Sequence, residues 1–339
     1  MVRRLFLAVL VCAGMPGIPA ARGGSAHARE TTMTVPEQTG QVITGRHRGP
    51  TGERAWRLYV PSKYVRNAPP MMLVVKHGCT QNAEDIARGS RMDQLAEERG
   101  FLVLYPEQST VANPRLCWNW FDAAHQSRDA GEPSIVAGMV VVVMKQYPAD
   151  PARIHLVGVS AGAAMAGLVA VAYPEKCATL SSLSGVAWRA ATNVAAALGV
   201  MQRGAGETVP TAEQMVQAMG VHRRAMPVFV MHGVADAVVS ARNADETAVQ
   251  WAGVHDLLGK ERGAAPLQRG QIHVTVVNTY HVGLTSWSDA RGAPQVMLNR
   301  VDELGHAWSG GSTTGTFTDA NGPDASRLVV DFCEAHRVR

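Results

Sequence analysis

A serine flanked by glycines, a histidine in a flexible loop and an aspartate just past an apolar run are the residue types that acyl transfer needs. Ser160 lies in Gly158-Val159-Ser160-Ala161-Gly162, the pattern of a nucleophile elbow, in which a strained turn lifts the hydroxyl clear of a sheet and glycines relieve the crowding on either side. A serine hydroxyl is a weak nucleophile at neutral pH and requires an imidazole base, which in turn requires a carboxylate to fix its tautomer. Asp236, in His232-Gly233-Val234-Ala235-Asp236, and His306, in Gly305-His306-Ala307-Trp308, follow Ser160 in the chain order serine, acid, histidine. Negative charge on the attacked carbonyl oxygen calls for backbone N–H donors. The expected pair is the amide of Ala161, next to the serine, and that of Cys79 in the turn His77-Gly78-Cys79-Thr80-Gln81. Of the remaining histidines, His155 and His281 read as core or surface residues.

The elements that must position these groups alternate. Arg57 to Val60, Met71 to Val75, Phe101 to Tyr105, Ile154 to Val157, Thr179 to Leu183, Val228 to Met231 and His273 to Val277 have strand character. Ala83 to Arg99, Ser134 to Tyr147 and Ala325 to His336 have helical spacing, so the chain predicts an α/β fold with a mostly parallel sheet covered on both faces. Residues 188–224 are poorer in strand signals and are expected to form a small helical insertion near the site.

Residues 1–28 have the layout of a secretory signal peptide: Arg3 and Arg4, the apolar stretch Leu5 to Val11, and Ala26-His27-Ala28 for cleavage. Val11 before Cys12 argues against lipidation, and Cys12 leaves with the signal. No later apolar run is long enough for a membrane anchor, so residues 29–339 are expected to be one exported domain, secreted or periplasmic. The formal charge is +4. Losing Arg3, Arg4 and Arg22 leaves about +1. No basic track interleaved with aromatics suggests a nucleic-acid partner. Cys79, Cys117, Cys177 and Cys333 favour two disulfides in an oxidising compartment, with three pairings open. Their spacing is not that of a metal site.

Beyond the elbow, the motifs His77-Gly78-Cys79-Thr80-Gln81, Tyr105-Pro106-Glu107-Gln108, Cys117-Trp118-Asn119-Trp120-Phe121, Gly131-Glu132-Pro133, Gly305-His306-Ala307-Trp308-Ser309-Gly310-Gly311 and Gly322-Pro323-Asp324-Ala325-Ser326 occur in that order. Together they resemble the esterase family of polyhydroxybutyrate depolymerases and feruloyl-type esterases, from about Arg57 to Phe332. The resemblance implies the α/β-hydrolase fold, a triad of Ser160, Asp236 and His306, no cofactor or metal, and a Cys79–Cys117 disulfide beside the site. Cys177 and Cys333 are then left as a second pair. The family's elbows often carry a further glycine where this chain has Ala163-Ala164, a change a helix start tolerates. Trp118, Trp120 and Trp308 are candidates to line an apolar substrate groove.

The expected partner is thus an ester, polymeric or oligomeric. A short hydroxyalkanoate polyester is preferred, because no threonine-rich linker or separate binding domain follows within the sequence. Feruloyl or acetyl esters on plant polysaccharide, or polyaspartate amides, would use the same machinery. An acyltransferase and a non-catalytic binding protein on the same scaffold are the further alternatives.

Overall fold

A computed structural model describes residues 40–338. The expected signal segment and Cys12 lie outside the described residues. The chain opens with a hairpin of β1 (Gln41–Gly49) and β2 (Gly52–Val60). It continues through β3 (Met72–Lys76), α1 (Ala83–Ser90), α2 (Met92–Arg99), β4 (Leu102–Glu107), α3 (Gly131–Gln146), β5 (Ile154–Val159) and α4 (Ala161–Ala172). Next come β6 (Thr179–Leu183), α5 (Val194–Arg203), α6 (Ala212–Met219), β7 (Val228–Gly233) and α7 (Arg242–Glu261). The last part holds β8 (Gln268–Arg269), β9 (His273–Val277), β10 (Tyr280–Ser288), β11 (Pro294–Val301), β12 (Trp308–Ser309), β13 (Thr318–Asp319) and α8 (Ala325–Glu334).

Eleven strands form one sheet in the order β1-β2-β4-β3-β5-β6-β7-β11-β10-β8, with β9 also paired to β10. The six strands from β4 to β11 run parallel, and antiparallel strands extend both edges. Every residue of β3, β5, β6 and β7 is buried, as apolar runs covered on both faces require. Alternate side chains feed two cores. Met72, Val74, Leu156 and Val230 face α3, α4 and α7. Leu73, Val75, Val157 and Met231 face α1, α2 and α8. All twelve residues of α4 are buried, and its Gly162 packs directly on the Lys76 and His77 carbonyls.

The helix expected over Ala83–Arg99 is two helices. Arg91 between them adopts φ 55°. The Gly89 carbonyl, which a continuous helix would give to residue 93, instead accepts from the Ser312 amide at 2.8 Å. A tertiary hydrogen bond therefore wins over helix propensity. The place of His273–Val277 in the parallel series is also corrected: it is an exposed antiparallel partner of β10, and the strand beside β7 is β11. The segment 188–224 is helical as expected, carrying α5 and α6.

Candidate active site

The sheet reverses its direction of growth at β3, since β4 lies on one side of β3 and β5 on the other. Such a switch point opens a crevice at the carboxyl ends of the strands. Lys76 and Gly158 are register partners there, so the turn after β3 and the elbow after β5 emerge side by side. Two strands further along, β7 delivers Asp236, and β11 beside it delivers His306.

Ser160 adopts φ 55° and ψ −126°, the strained geometry of an elbow. A side chain at Gly162 would stand 2.3 Å from the Lys76 carbonyl oxygen, and one at Gly158 would stand 2.3 Å from the Gly162 carbonyl oxygen. Both glycines are therefore steric requirements. His306 and Ser160 line one cavity of about 560 Å³ together with Gly78 and Cys79. A methyl group on Gly78 would lie only 3.3 Å from Cβ of Ser160, which measures how closely the turn approaches the serine. The amides of Cys79 and Ala161 have no hydrogen-bond partner among the described residues.

The His306 Nδ1–H donates to Asp236 Oδ2 at 2.7 Å, which leaves Nε2 facing the cavity as acceptor. Asp236 is buried, and burial works to raise its pKa. Hydrogen bonds from His232, His306 and the Val239 amide, with the favourable electrostatic interaction with His306, outweigh that effect and hold the carboxyl below the ordinary range. Its Oδ1 accepts the Val238 and Val239 amides at 2.9 and 2.8 Å. No hydrogen bond joins Ser160 to His306 here, and such contacts commonly tighten only when substrate arrives. Phe317 packs edge-on against His306, with ring centroids 6.2 Å apart.

A buried polar network, not anticipated from the sequence, holds the turn at Cys79. His77 Nε2 accepts the Gln108 amide at 3.0 Å, so its proton sits on Nδ1, which donates to the Gly78 carbonyl at 2.8 Å. That carbonyl belongs to the same peptide as the Cys79 N–H, so the imidazole aligns the donor. Burial pushes the His77 pKa down and favours this neutral form. Gln81 Oε1 accepts the Gly78 amide at 2.9 Å, and its Nε2 reaches the Thr316 carbonyl at 3.0 Å, beside Phe317. Gln108 Nε2 donates to Glu132 Oε1 at 2.6 Å. The fully buried Glu132 also accepts Arg54 at 2.9 Å and, through Asn119, a backbone N–H at 2.8 Å and a side-chain N–H at 2.9 Å. The sequence motifs at Gln108, Asn119 and Glu132 are thus one hydrogen-bonded unit. Each lies in one of the short motifs named above, but nothing in a single chain connects the three.

The Cys79–Cys117 disulfide is present. The second pair is corrected: Cys177 and Cys333 are free and buried. Cys177 lies in the core beneath α3 and α4, whereas Cys333 of α8 lies in the opposite core, so the sheet separates them. Among the tryptophans, Trp120 lines the cavity. Trp118 and Trp308 do not. Trp118 is wholly buried against His77, with ring centroids 5.7 Å apart, and Trp308 is buried with its indole N–H on Ser326 Oγ at 3.1 Å. Burying a whole indole gains more than exposing it in a wet cleft. The apolar wall comes instead from Phe121, Phe317 and the α5 residues Val194, Leu198 and Met201. Spacing of i, i+4 and i+7 on α5 was the available signal. His155 is buried on Thr179 Oγ1, and His281 is exposed on Glu303, as expected of bystanders. Among the described residues, no helix is long and apolar enough to cross a membrane, and no cluster of three His, Cys, Asp or Glu could hold a metal.

Known proteins are similar to this chain to different extents. The family model described as Esterase PHB depolymerase matches residues 54–267. Poly(3-hydroxyalkanoate) depolymerase C of Paucimonas lemoignei is 27% identical over 282 residues, 83% of this chain and 64% of that protein. Acetylxylan esterase A of Talaromyces purpureogenus is 32% identical over 225 residues, 63% of this chain and 56% of that protein. The chain therefore spans less than two thirds of the length of both relatives. Among solved structures, an acetyl xylan esterase from Aspergillus awamori superposes with a TM-score of 0.62 at 24% identity, covering 79% of this chain and 94% of that one. An S-formylglutathione hydrolase from Agrobacterium tumefaciens gives a TM-score of 0.51 at 18% identity, covering 88% and 96%. These likenesses identify the fold as that of the α/β-hydrolases.

Proposed function

The chain belongs to the PHB depolymerase esterase family, and from that membership and the geometry of its cavity we propose that residues 29–339 form an exported serine esterase domain. The observation that carries the reading is the strained Ser160 opening onto the same cavity as His306, whose Nδ1 is held by Asp236. Ser160 Oγ attacks the ester carbonyl and gives its proton to His306 Nε2. The Cys79 and Ala161 amides receive the developing oxyanion, and Asp236 stabilises the imidazolium. His306 then protonates the leaving alcohol, and water repeats the sequence to free the acid. The steps call on no metal or cofactor.

The substrate proposed is a short hydroxyalkanoate polyester or its oligomers. In support, Phe121, Phe317, Val194, Leu198 and Met201 present the cavity with alkyl and aryl surface, which suits an apolar ester better than a sugar. A feruloyl ester is the second reading, because the same wall accepts an aryl acyl group. Export is supported by the layout of residues 1–28 and by the disulfide, which persists in oxidising compartments. The test is hydrolysis of nitrophenyl butyrate, hydroxybutyrate oligomer, amorphous polymer film, methyl ferulate and polyaspartate by the wild type and Ser160→Ala. Serine-dependent release from oligomer or film is expected. A variant as active as the wild type would remove Ser160 as nucleophile, and preference for ferulate or polyaspartate would replace the substrate.

A further inference from the structure

Arg115 brings a positive charge to a cavity whose walls are otherwise mostly neutral. Arg115 lines it, no acidic residue does, and the Arg115 guanidinium has no hydrogen bond or ion pair among the described residues. Its backbone is nevertheless tightly held. The Arg115 amide donates to the Asn113 side chain at 3.0 Å, its carbonyl accepts the Thr80 amide at 2.7 Å, and Cys117 two residues on is bonded to Cys79. The Arg115 backbone is thus anchored beside the turn that carries the proposed oxyanion donor, and its side chain is exposed. Elsewhere Arg54, Arg57 and Arg128 each pair with carboxylates that brace the fold. Among the described residues the Arg115 side chain has no such partner, which leaves its guanidinium available to an anion in the cleft.

A guanidinium selects planar anions, and a carboxylate gives it two parallel hydrogen bonds. A neutral sugar ester offers no such partner. In an oligoester of a hydroxyacid, the leaving alcohol of the terminal ester carries the free carboxylate. Resting on the esterase reading above, we propose that Arg115 receives this carboxylate and makes short, carboxylate-terminated oligoesters the preferred substrates. On cleavage the ester C–O bond breaks, the departing hydroxyacid takes its hydroxyl proton from His306, and its carboxylate stays ionised on Arg115. The acyl group remains on Ser160 until water removes it.

The test uses the hydroxybutyrate dimer and the same dimer with its terminal carboxyl converted to a primary amide. Titration calorimetry on the Ser160→Ala protein measures binding of each without turnover. The acid is expected to bind about tenfold tighter than the amide, and Arg115→Gln in that background should erase the difference while leaving amide binding unchanged. Raising salt should weaken only the acid. Equal binding of acid and amide by the Ser160→Ala protein, or a preference that survives Arg115→Gln, overturns the proposal. Hydrolysis of nitrophenyl butyrate by the wild type and by Arg115→Gln is measured alongside. Its absence in the wild type would sink the esterase reading, whereas the dimer comparison judges Arg115 by itself.

Discussion

Substituting Glu132→Gln changes one oxygen to an amide and should destabilise the protein severely. Glu132 is fully buried and accepts four hydrogen bonds, from Arg54, Gln108 and twice from Asn119. A glutamine can keep its carbonyl toward Arg54, Gln108 and the Asn119 side chain, but then its NH₂ points at the Asn119 backbone N–H, donor against donor. One unsatisfied buried donor costs about 1–3 kcal/mol. The Arg54 guanidinium, whose side chain is 7% exposed, loses its neutralising partner. Stranding a buried charge costs about 3–5 kcal/mol. The two effects share atoms and do not add fully, so a loss of about 4–6 kcal/mol is expected. With an unfolding entropy of about 2.1 cal/mol/K per residue over about 300 residues, this lowers Tm by roughly 6–10 °C. Urea denaturation and a thermal scan measure it directly. Adding Arg54→Met to Glu132→Gln should recover the part of the loss that comes from the stranded charge, because it removes that charge while the glutamine carbonyl still accepts from Gln108 and the Asn119 side chain. Activity in Glu132→Gln should fall through kcat, because Gln108 passes the disturbance to His77 and the Cys79 peptide. A loss under about 1 kcal/mol would refute the network as a coupled unit.

Three other perturbations have defined outcomes. Opening the Cys79–Cys117 bond, which spans a sequence separation of 38, with Cys117→Ser should cost about 4 kcal/mol in the chain-entropy model and lower kcat more than it alters KM; without reductant, thiol titration of the chain from residue 29 should find no reactive cysteine in the native protein and Cys177 and Cys333 in denaturant. In α4, Gly162→Ala should prevent folding or cost more than about 3 kcal/mol, because its methyl would meet backbone at 2.3 Å, whereas Gly167→Ala has nothing within 4 Å and should gain about 0.5–1 kcal/mol by denaturation. Burial pushes His255 down to about 4 and His155 down to about 3, so the unfolded chain takes up protons first as pH falls; their stabilisation is full above about pH 6.5 and shrinks below it, by about 2 kcal/mol each between pH 8 and pH 5. Urea midpoints across that range should show the slope, and His255→Gln should remove about half of it.

The alternation of buried strands and helices, the strained strand-turn-helix at Ser160 and the chain order of Ser160, Asp236 and His306 were legible in one chain. They are local: apolar runs such as Ile154–Val159 specify a covered strand, and glycines at 158 and 162 answer to contacts within one strand-turn-helix unit and the turn beside it. Tertiary structure decided what depends on residues far apart in sequence. Arg91 ends α1 because a loop over 200 residues later, through Ser312, takes the Gly89 carbonyl. His273–Val277 and Pro294–Val301 both have strand-forming residues, and only sheet pairing says which lies beside β7. Cys177 and Cys333 could bond by count alone, but they fall on opposite sides of the sheet. Burial took Trp118 and Trp308 into the cores and left the groove to Trp120, Phe317 and α5. The Glu132 unit and the solitary charge of Arg115 likewise exist only once distant segments meet, because hydrogen bonding and desolvation act over a few ångströms of space and take no account of separation along the chain.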